Sequence, residues 1–451
     1  MTKKAAVYAL LVGQVFLWTG SAFISVLYRL LAFYAPAQVT LLTEVLYYFA
    51  QAAGIGAFAL LLRYRPAFAG GRRLAAAALA ATFVFTGAAL LLNSAACVML
   101  AGLAMNLGIG LLSGVYLTRL SSQLPMECRG RAFGIAYAAG SVGTWLLSLP
   151  FGGALLRGPL ALAVCLALAA LSVGLLRFLE PIADASGEPA REPGSFDRKF
   201  LLLALSVPFL CSLVNGLGCY FSAADISAVY DPIFLRIFYA LGLTAAGVAS
   251  DRSRRHGAIC CFAALIFPFV SLALRDEVPA SAVMRAFSYI FYGFFSVYRV
   301  VLFADIAARR ARLLPLAVFG LLAGRLGDGL GTLGGVLLER NQTALTCLNG
   351  GAFILCALLF FALYHRLYMP LLPERENTEA LLSAYEARFG FTAQQCRIFR
   401  LVARGCSNSE IAAELFLTES TVKFHMKNIL KRTGCANRTE LISDFKSSAA
   451  R

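Results

Sequence analysis

The chain has 451 residues, 59% of them hydrophobic and 14% charged, with a formal net charge of +16. Soluble globular chains carry roughly 45–50% apolar and about 25% charged residues, so this composition excludes an ordinary soluble protein and points to a polytopic membrane protein. The 12 Cys include no C-x-x-C pair and there are 3 His, so no metal site, no cofactor and no enzymatic nucleophile–base grouping is expected.

From the N-terminus, Met1-Thr2-Lys3-Lys4 and the apolar run behind it open like a signal peptide. That run continues to Val26, longer than a signal core and without a small-residue cleavage pattern. It reads as a first membrane helix that stays attached. Apolar segments long enough to cross a bilayer core then recur over 6–28, 38–62, 74–92, 95–118, 132–150, 159–178, 200–218, 232–250, 257–274, 282–304, 313–338 and 345–367. The expectation is an all-α, twelve-helix membrane bundle covering 1–368. A polar loop at 180–199 divides it into halves 1–179 and 200–368, with six spans each.

The charges test this topology. With the N-terminus inside, 19 Lys and Arg fall in inner segments, from Lys3 and Lys4 to Arg309, Arg310 and Arg312. Only Arg29, Arg157, Arg275 and Arg340 fall at outer ends. That asymmetry follows the positive-inside rule, and an even number of spans returns the C-terminus to the cytoplasm. The expected location is the inner (cytoplasmic) membrane, multi-pass, with both termini cytoplasmic.

Two six-helix halves joined by a polar loop resemble the major-facilitator arrangement. Behind the eighth span, Gly247-Val-Ala-Ser-Asp251-Arg252-Ser-Arg254-Arg255 resembles that family's loop signature, with Arg254 where a Gly is usual. The matching place in the first half, Arg63 to Arg73, has no Asp. Ionisable residues inside spans are costly and suggest function: Glu44, Arg236, Arg285, Arg299, Arg325 and Asp328. Arg325 and Asp328 stand one turn apart and can pair. Arg285 and Arg299 share a face of the tenth span, with Tyr289 and Tyr292 between them. The resemblance implies that this span lines a central cavity, making Arg285 and Arg299 candidate ligands for an anionic or polar small molecule. The plainer alternative has Arg285 reaching the outer surface and Arg299 paired with Asp305.

Hydropathy drops after Tyr368. Pro370 and Pro373 break the last span, and 369–390 reads as a linker carrying one short helix from Thr378 to Phe389. In 391–451 four further helices are marked by their caps. Thr392 with Gln395 opens the first, which Gly405 stops. Ser407 with Glu410 opens the second, Thr418 caps the third, and Gly434 ends it before the fourth at Asn437. On the third helix Val422, Met426 and Ile429 form the buried stripe, while Lys423, Lys427 and Lys431 recur every four residues on a neighbouring face.

Ser407-Asn-Ser-Glu410-Ile-Ala412, Thr421-Val-Lys423-Phe-His425, Asn428-Ile-Leu430 and Asn437-Arg-Thr-Glu440 resemble the LuxR/GerE-type DNA-binding domain. The resemblance implies a helix-turn-helix that binds double-stranded DNA through Thr421, Lys423, Phe424, Lys427 and Lys431. It also implies a homodimer through the last helix, with Leu441 and Phe445 as candidates. The combined expectation is a membrane-bound one-component transcriptional regulator with the bundle as sensor. The alternative is a major-facilitator-type secondary transporter with a fused regulatory DNA-binding tail.

Overall fold

The computed structural model describes residues 2–149, 155–182, 198–218, 236–273, 278–309, 311–368, 374–403 and 406–448. The chain forms two compact units, Met1–Tyr364 and His365–Arg451, and every regular element among the described residues is helical.

The first unit contains α1 (Lys3–Leu30), α2 (Pro36–Tyr64), α3 (Arg72–Leu91), α4 (Ala95–Gln123), α5 (Arg129–Ser148) and α6 (Leu160–Phe178). The second half contains α7 (Arg198–Gly218), α8 (Arg236–Arg252), α9 (Arg254–Leu272), α10 (Val278–Ala307) and α11 (Ala311–Leu338), and α12 (Gln342–Tyr368) runs out of it. Ten helices among the described residues are long and apolar enough to cross a membrane; α5 and α8 fall short of that measure. Composition explains this for α5, and the described length of 17 residues explains it for α8. Helix α5 carries Arg129 and Arg131 in its first turn and then Gly, Ala and Ser residues, which suits a helix packed between α1 and α8. Helix α8 ends on Asp251-Arg252, and 231–235, where that span was expected to begin, lie outside the described residues. The expected loop 180–199 also lies mostly outside them.

The packing repeats with a period of six helices. Helix α1 packs on α5 as α7 packs on α11, and α2 packs on α4 as α8 packs on α10. The halves meet where α5 crosses α8 and α11 crosses α2. Glycines meet at several of these crossings: Gly54 against Gly110, Gly242 against Gly293, Gly216 against Gly331, and Gly130 against Gly247. At the first, a Cβ on Gly54 would lie 3.0 Å from Gly110 Cα. Lipid offers no hydrophobic drive for helix association, so close backbone approach between small residues supplies the dispersion energy instead.

One face of the inter-half contact is tied by charge. Asp251, at the end of α8, accepts hydrogen bonds from the Gly130 and Arg131 amides at 2.7 and 2.8 Å. These are free donors at the N-terminus of α5, where a carboxylate is favoured. Arg254 then joins Asp251 at 3.0 Å to Asp305 of α10 at 2.6 Å, and Arg129 reaches Asp305 at 2.7 Å. The residue that departs from the loop signature is therefore the one that bridges both aspartates.

The second unit contains α13 (Glu374–Arg388), α14 (Ala393–Ala403), α15 (Asn408–Glu414), α16 (Glu419–Thr433) and α17 (Arg438–Ser448). Its core joins Leu382 and Tyr385 of α13 to Ile398, Phe399, Leu401, Val402, Ile411, Val422, Met426, Ile429 and Leu441. The helix expected inside the linker is thus packed into the domain. Tyr385 stacks on Phe399 with ring centroids 5.2 Å apart and donates its hydroxyl to Asp444 at 2.6 Å. Arg400 holds α13 with two hydrogen bonds to Glu386, at 2.8 and 3.0 Å, and one to Glu379 at 3.0 Å. The Glu386 carboxylate keeps that guanidinium's pKa above its ordinary value.

Candidate functional site

The caps set the geometry of the tail. Thr392 and Gln395 exchange side-chain-to-amide bonds at 2.9 and 3.3 Å. At α15 the Ser407 amide donates to Glu410 at 2.7 Å while Ser407 Oγ accepts the Glu410 amide at 3.3 Å. The Ser407 donors hold the Glu410 carboxyl below the usual glutamate range. Thr418 Oγ1 accepts from the Thr421 amide at 3.3 Å, and Gly434 ends α16 at φ 77°, where a side chain would be strained. The expected stop at Gly405 lies outside the described residues.

With α16 pinned at both ends, Val422, Met426 and Ile429 are buried and Lys423, Phe424, Lys427 and Lys431 are exposed. At about 100° per residue these four occupy one arc of the helix. Thr421 is half-buried at its leading edge. Lys423 pairs at the surface with Glu419 at 3.7 Å, a pairing worth little in water. The Phe424 ring is 63% exposed, although it is apolar. Helices α15 and α16 pack against each other across the Leu415–Thr418 turn, in the arrangement of a helix-turn-helix. The expectation for Leu441 needs correction: it is fully buried in its own domain's core, and Phe445 packs edge-on against Tyr385 and Phe399. Both side chains serve intradomain packing, which leaves Thr439, Glu440 and Ser443 exposed on α17.

In the membrane unit Arg299 is 2% exposed and donates to Asp328 at 3.0 Å and Ser212 at 2.9 Å. Asp328 also accepts from the Tyr292 hydroxyl at 3.0 Å and stands 3.8 Å from Arg325. The Arg325 guanidinium lies 4.6 Å from the centroid of the Tyr48 ring on α2. The local Arg325–Asp328 pair is therefore the weaker of two, and Arg299 does not take Asp305, which Arg129 and Arg254 occupy. Among the described residues, Asp328 Oδ1, Arg299 Nε and Arg325 Nε are buried with no hydrogen-bond partner. Glu44 lies in a wide π-type turn of α2, Leu41–Leu46, within electrostatic reach of Asp328; such turns gather at functional sites. The Arg285 and Arg236 side chains lie outside the described residues. Arg299, Ser212, Tyr292 and Asp328 come from three helices, so only the Arg325 neighbour was visible locally in the sequence.

Residues 390–444 match the family model described as bacterial regulatory proteins, luxR family. The chain is 46% identical over 52 residues to the monoamine regulon transcriptional regulator of Klebsiella aerogenes, covering 12% of this chain and 23% of that one. It is 40% identical over 52 residues to the CsgBAC operon transcriptional regulatory protein of Escherichia coli, covering 12% and 24%. Against the HTH-type transcriptional regulator AlkS of Alcanivorax borkumensis it is 29% identical over 146 residues, taking in 29% of this chain and 16% of that one. The chain thus spans a quarter or less of the length of these relatives. The human organic anion transporter MFSD10 (TETRAN) is similar in structure, with TM-score 0.55 and 14% identity, over 80% of this chain and 100% of that one; this likeness speaks to fold alone. Residues 390–444 are a LuxR-type helix-turn-helix domain, and they follow a membrane unit with a major-facilitator-like fold.

Proposed function

We propose that the chain is a membrane-embedded one-component transcription regulator of the inner membrane, with both termini cytoplasmic. The bundle 1–368 senses and the domain 391–451 binds double-stranded DNA, with 369–390 joining them. Its output is binding and not catalysis. The observation that carries this reading is the exposed basic arc of α16, set on two correctly capped helices of a LuxR-type domain. Lys423, Phe424 and Lys427 meet the major groove, with Thr421 and Lys431 nearer the phosphates. Two domains pair on a pseudo-palindromic site through the polar outer side of α17.

Within the bundle the sensed molecule is small, polar and carries an anionic group. It competes with Asp328 for Arg299, with Arg285 as a second cation further along α10. A ligand shifts the bundle only if it favours one arrangement over another, and exchange of one carboxylate for another at a buried arginine provides that difference.

The test is DNA retention by the purified full chain across a salt series. Wild type should bind with affinity that falls steeply with salt. Lys431→Ala should weaken binding to every sequence and lower the salt slope by about one, and Lys423→Ala with Lys427→Ala should weaken binding and relax its sequence preference. Unchanged affinity in the double variant would refute the assigned face.

A further inference from the structure

The turn between α15 and α16 carries a residue that helix-turn-helix packing does not explain. Phe416 is 96% exposed and sits at φ 54°, the one non-glycine with positive φ among the described residues. A bulky side chain in that conformation is uncommon. The ring does not contribute to the domain core, whose Leu415 and Leu417 pack inward on either side of it. Eight residues on, the exposed Phe424 ring lies among Lys423, Lys427 and Lys431. The domain therefore presents two phenyl rings and three lysines to its surroundings.

The chain supplies a candidate partner for such a surface. Helix α12 ends at Tyr368 and α13 begins at Glu374. The five residues between them span at most about 18 Å even when fully extended. On the proposed topology, with α12 crossing the bilayer, so short a connection keeps the domain near the membrane. Lysines beside exposed aromatic rings are what an anionic bilayer surface attracts: the ammonium groups meet lipid phosphates and the rings enter the headgroup–acyl boundary.

We propose that Phe416 on the α15–α16 turn, together with Phe424, Lys423, Lys427 and Lys431 on α16, docks on the anionic lipid surface beside the bundle, and that this docking competes with DNA. The proposal rests on the reading of α16 as the DNA-binding helix, because one face then serves two polyanions. Tethering gives the lipid surface a high effective concentration, so DNA meets an occluded face until the domain is released. Phe416 belongs to the lipid-bound state, in which its exposed ring enters the headgroup–acyl boundary.

The full chain is placed in nanodiscs of phosphatidylcholine alone, or of phosphatidylcholine mixed equally with phosphatidylglycerol. Without DNA, hydroxyl-radical footprinting should show the Phe416 and Phe424 rings protected several-fold in the anionic discs only, with protection abolished at high salt. Equal oxidation in both discs would overturn the docking. Affinity for a random-sequence duplex should be on the order of tenfold weaker in anionic discs. Phe416→Asn, which tolerates the left-handed turn, should narrow that gap while leaving affinity in neutral discs unchanged. A gap of the same size in the variant would contradict the role of Phe416. Failure to bind duplex in either disc would refute the DNA-binding reading, and the footprint without DNA would still decide the docking.

Discussion

At the scale of single residues, what was legible in the sequence depended on distance along the chain. Lys423, Lys427 and Lys431 recur within one helix, so a repeat of four was enough to place them on one exposed arc. Arg299 is the opposite case. Its partner Asp328 is 29 positions away on another helix, whereas Arg325 lies one turn from Asp328 and offered itself as the obvious mate. Leu441 also misled, because its neighbours in sequence do not reveal the Tyr385–Phe399 core that buries it. The Arg299–Asp328 pair makes a quantitative demand. Removing one member of a buried pair strands the other charge and costs about 3–5 kcal/mol, while replacing both is far milder. Arg299→Gln should therefore lower thermal stability in detergent markedly, and Arg299→Gln with Asp328→Asn should recover most of that stability. If the double variant unfolds at the same temperature as the single one, the two side chains are not energetically coupled. The double variant is also the better probe of sensing, since it removes both members of the closer buried pair, although Arg325 then loses the carboxylate 3.8 Å away.

At the scale of elements, helix ends were readable and helix contacts were not. Ser407 with Glu410, Thr392 with Gln395, and Thr418 act through side chains within three residues of the amides they satisfy, so local spacing reveals them. Membrane spans were readable from apolar length, except that α5 carries two arginines and many small residues and α8 is described over only 17 residues. The crossings were not readable, since 39 Gly scattered through the chain do not announce their partners. Gly242 provides the sharpest test. A Cβ there would run into the Ile290 carbonyl oxygen on α10, and the clash is with backbone that cannot turn aside. Gly242→Val should destabilise the bundle by about 1–3 kcal/mol, the usual cost of overpacking, seen as a lower melting temperature in detergent. Gly174→Val, where a Cβ meets open space, should be close to neutral. Equal effects at the two positions would contradict the α8–α10 crossing.

At the scale of the whole molecule, a LuxR-type domain and a major-facilitator-like bundle meet in one chain, and the account depends on which side of the membrane the domain occupies. The Lys and Arg distribution, 19 against 4 across the two sides, favours the cytoplasm. A phosphatase fused after Tyr368 should be inactive and one fused near Gly350 active; the reverse pattern would put the domain where there is no DNA. The central claim is that this membrane protein occupies chromosomal DNA through α16, and chromatin immunoprecipitation with sequencing of the tagged full chain in its own cell tests it most directly. The account predicts discrete enriched sites that disappear in the Lys423→Ala, Lys427→Ala variant at equal protein level. Enrichment indistinguishable between wild type and that variant would contradict it.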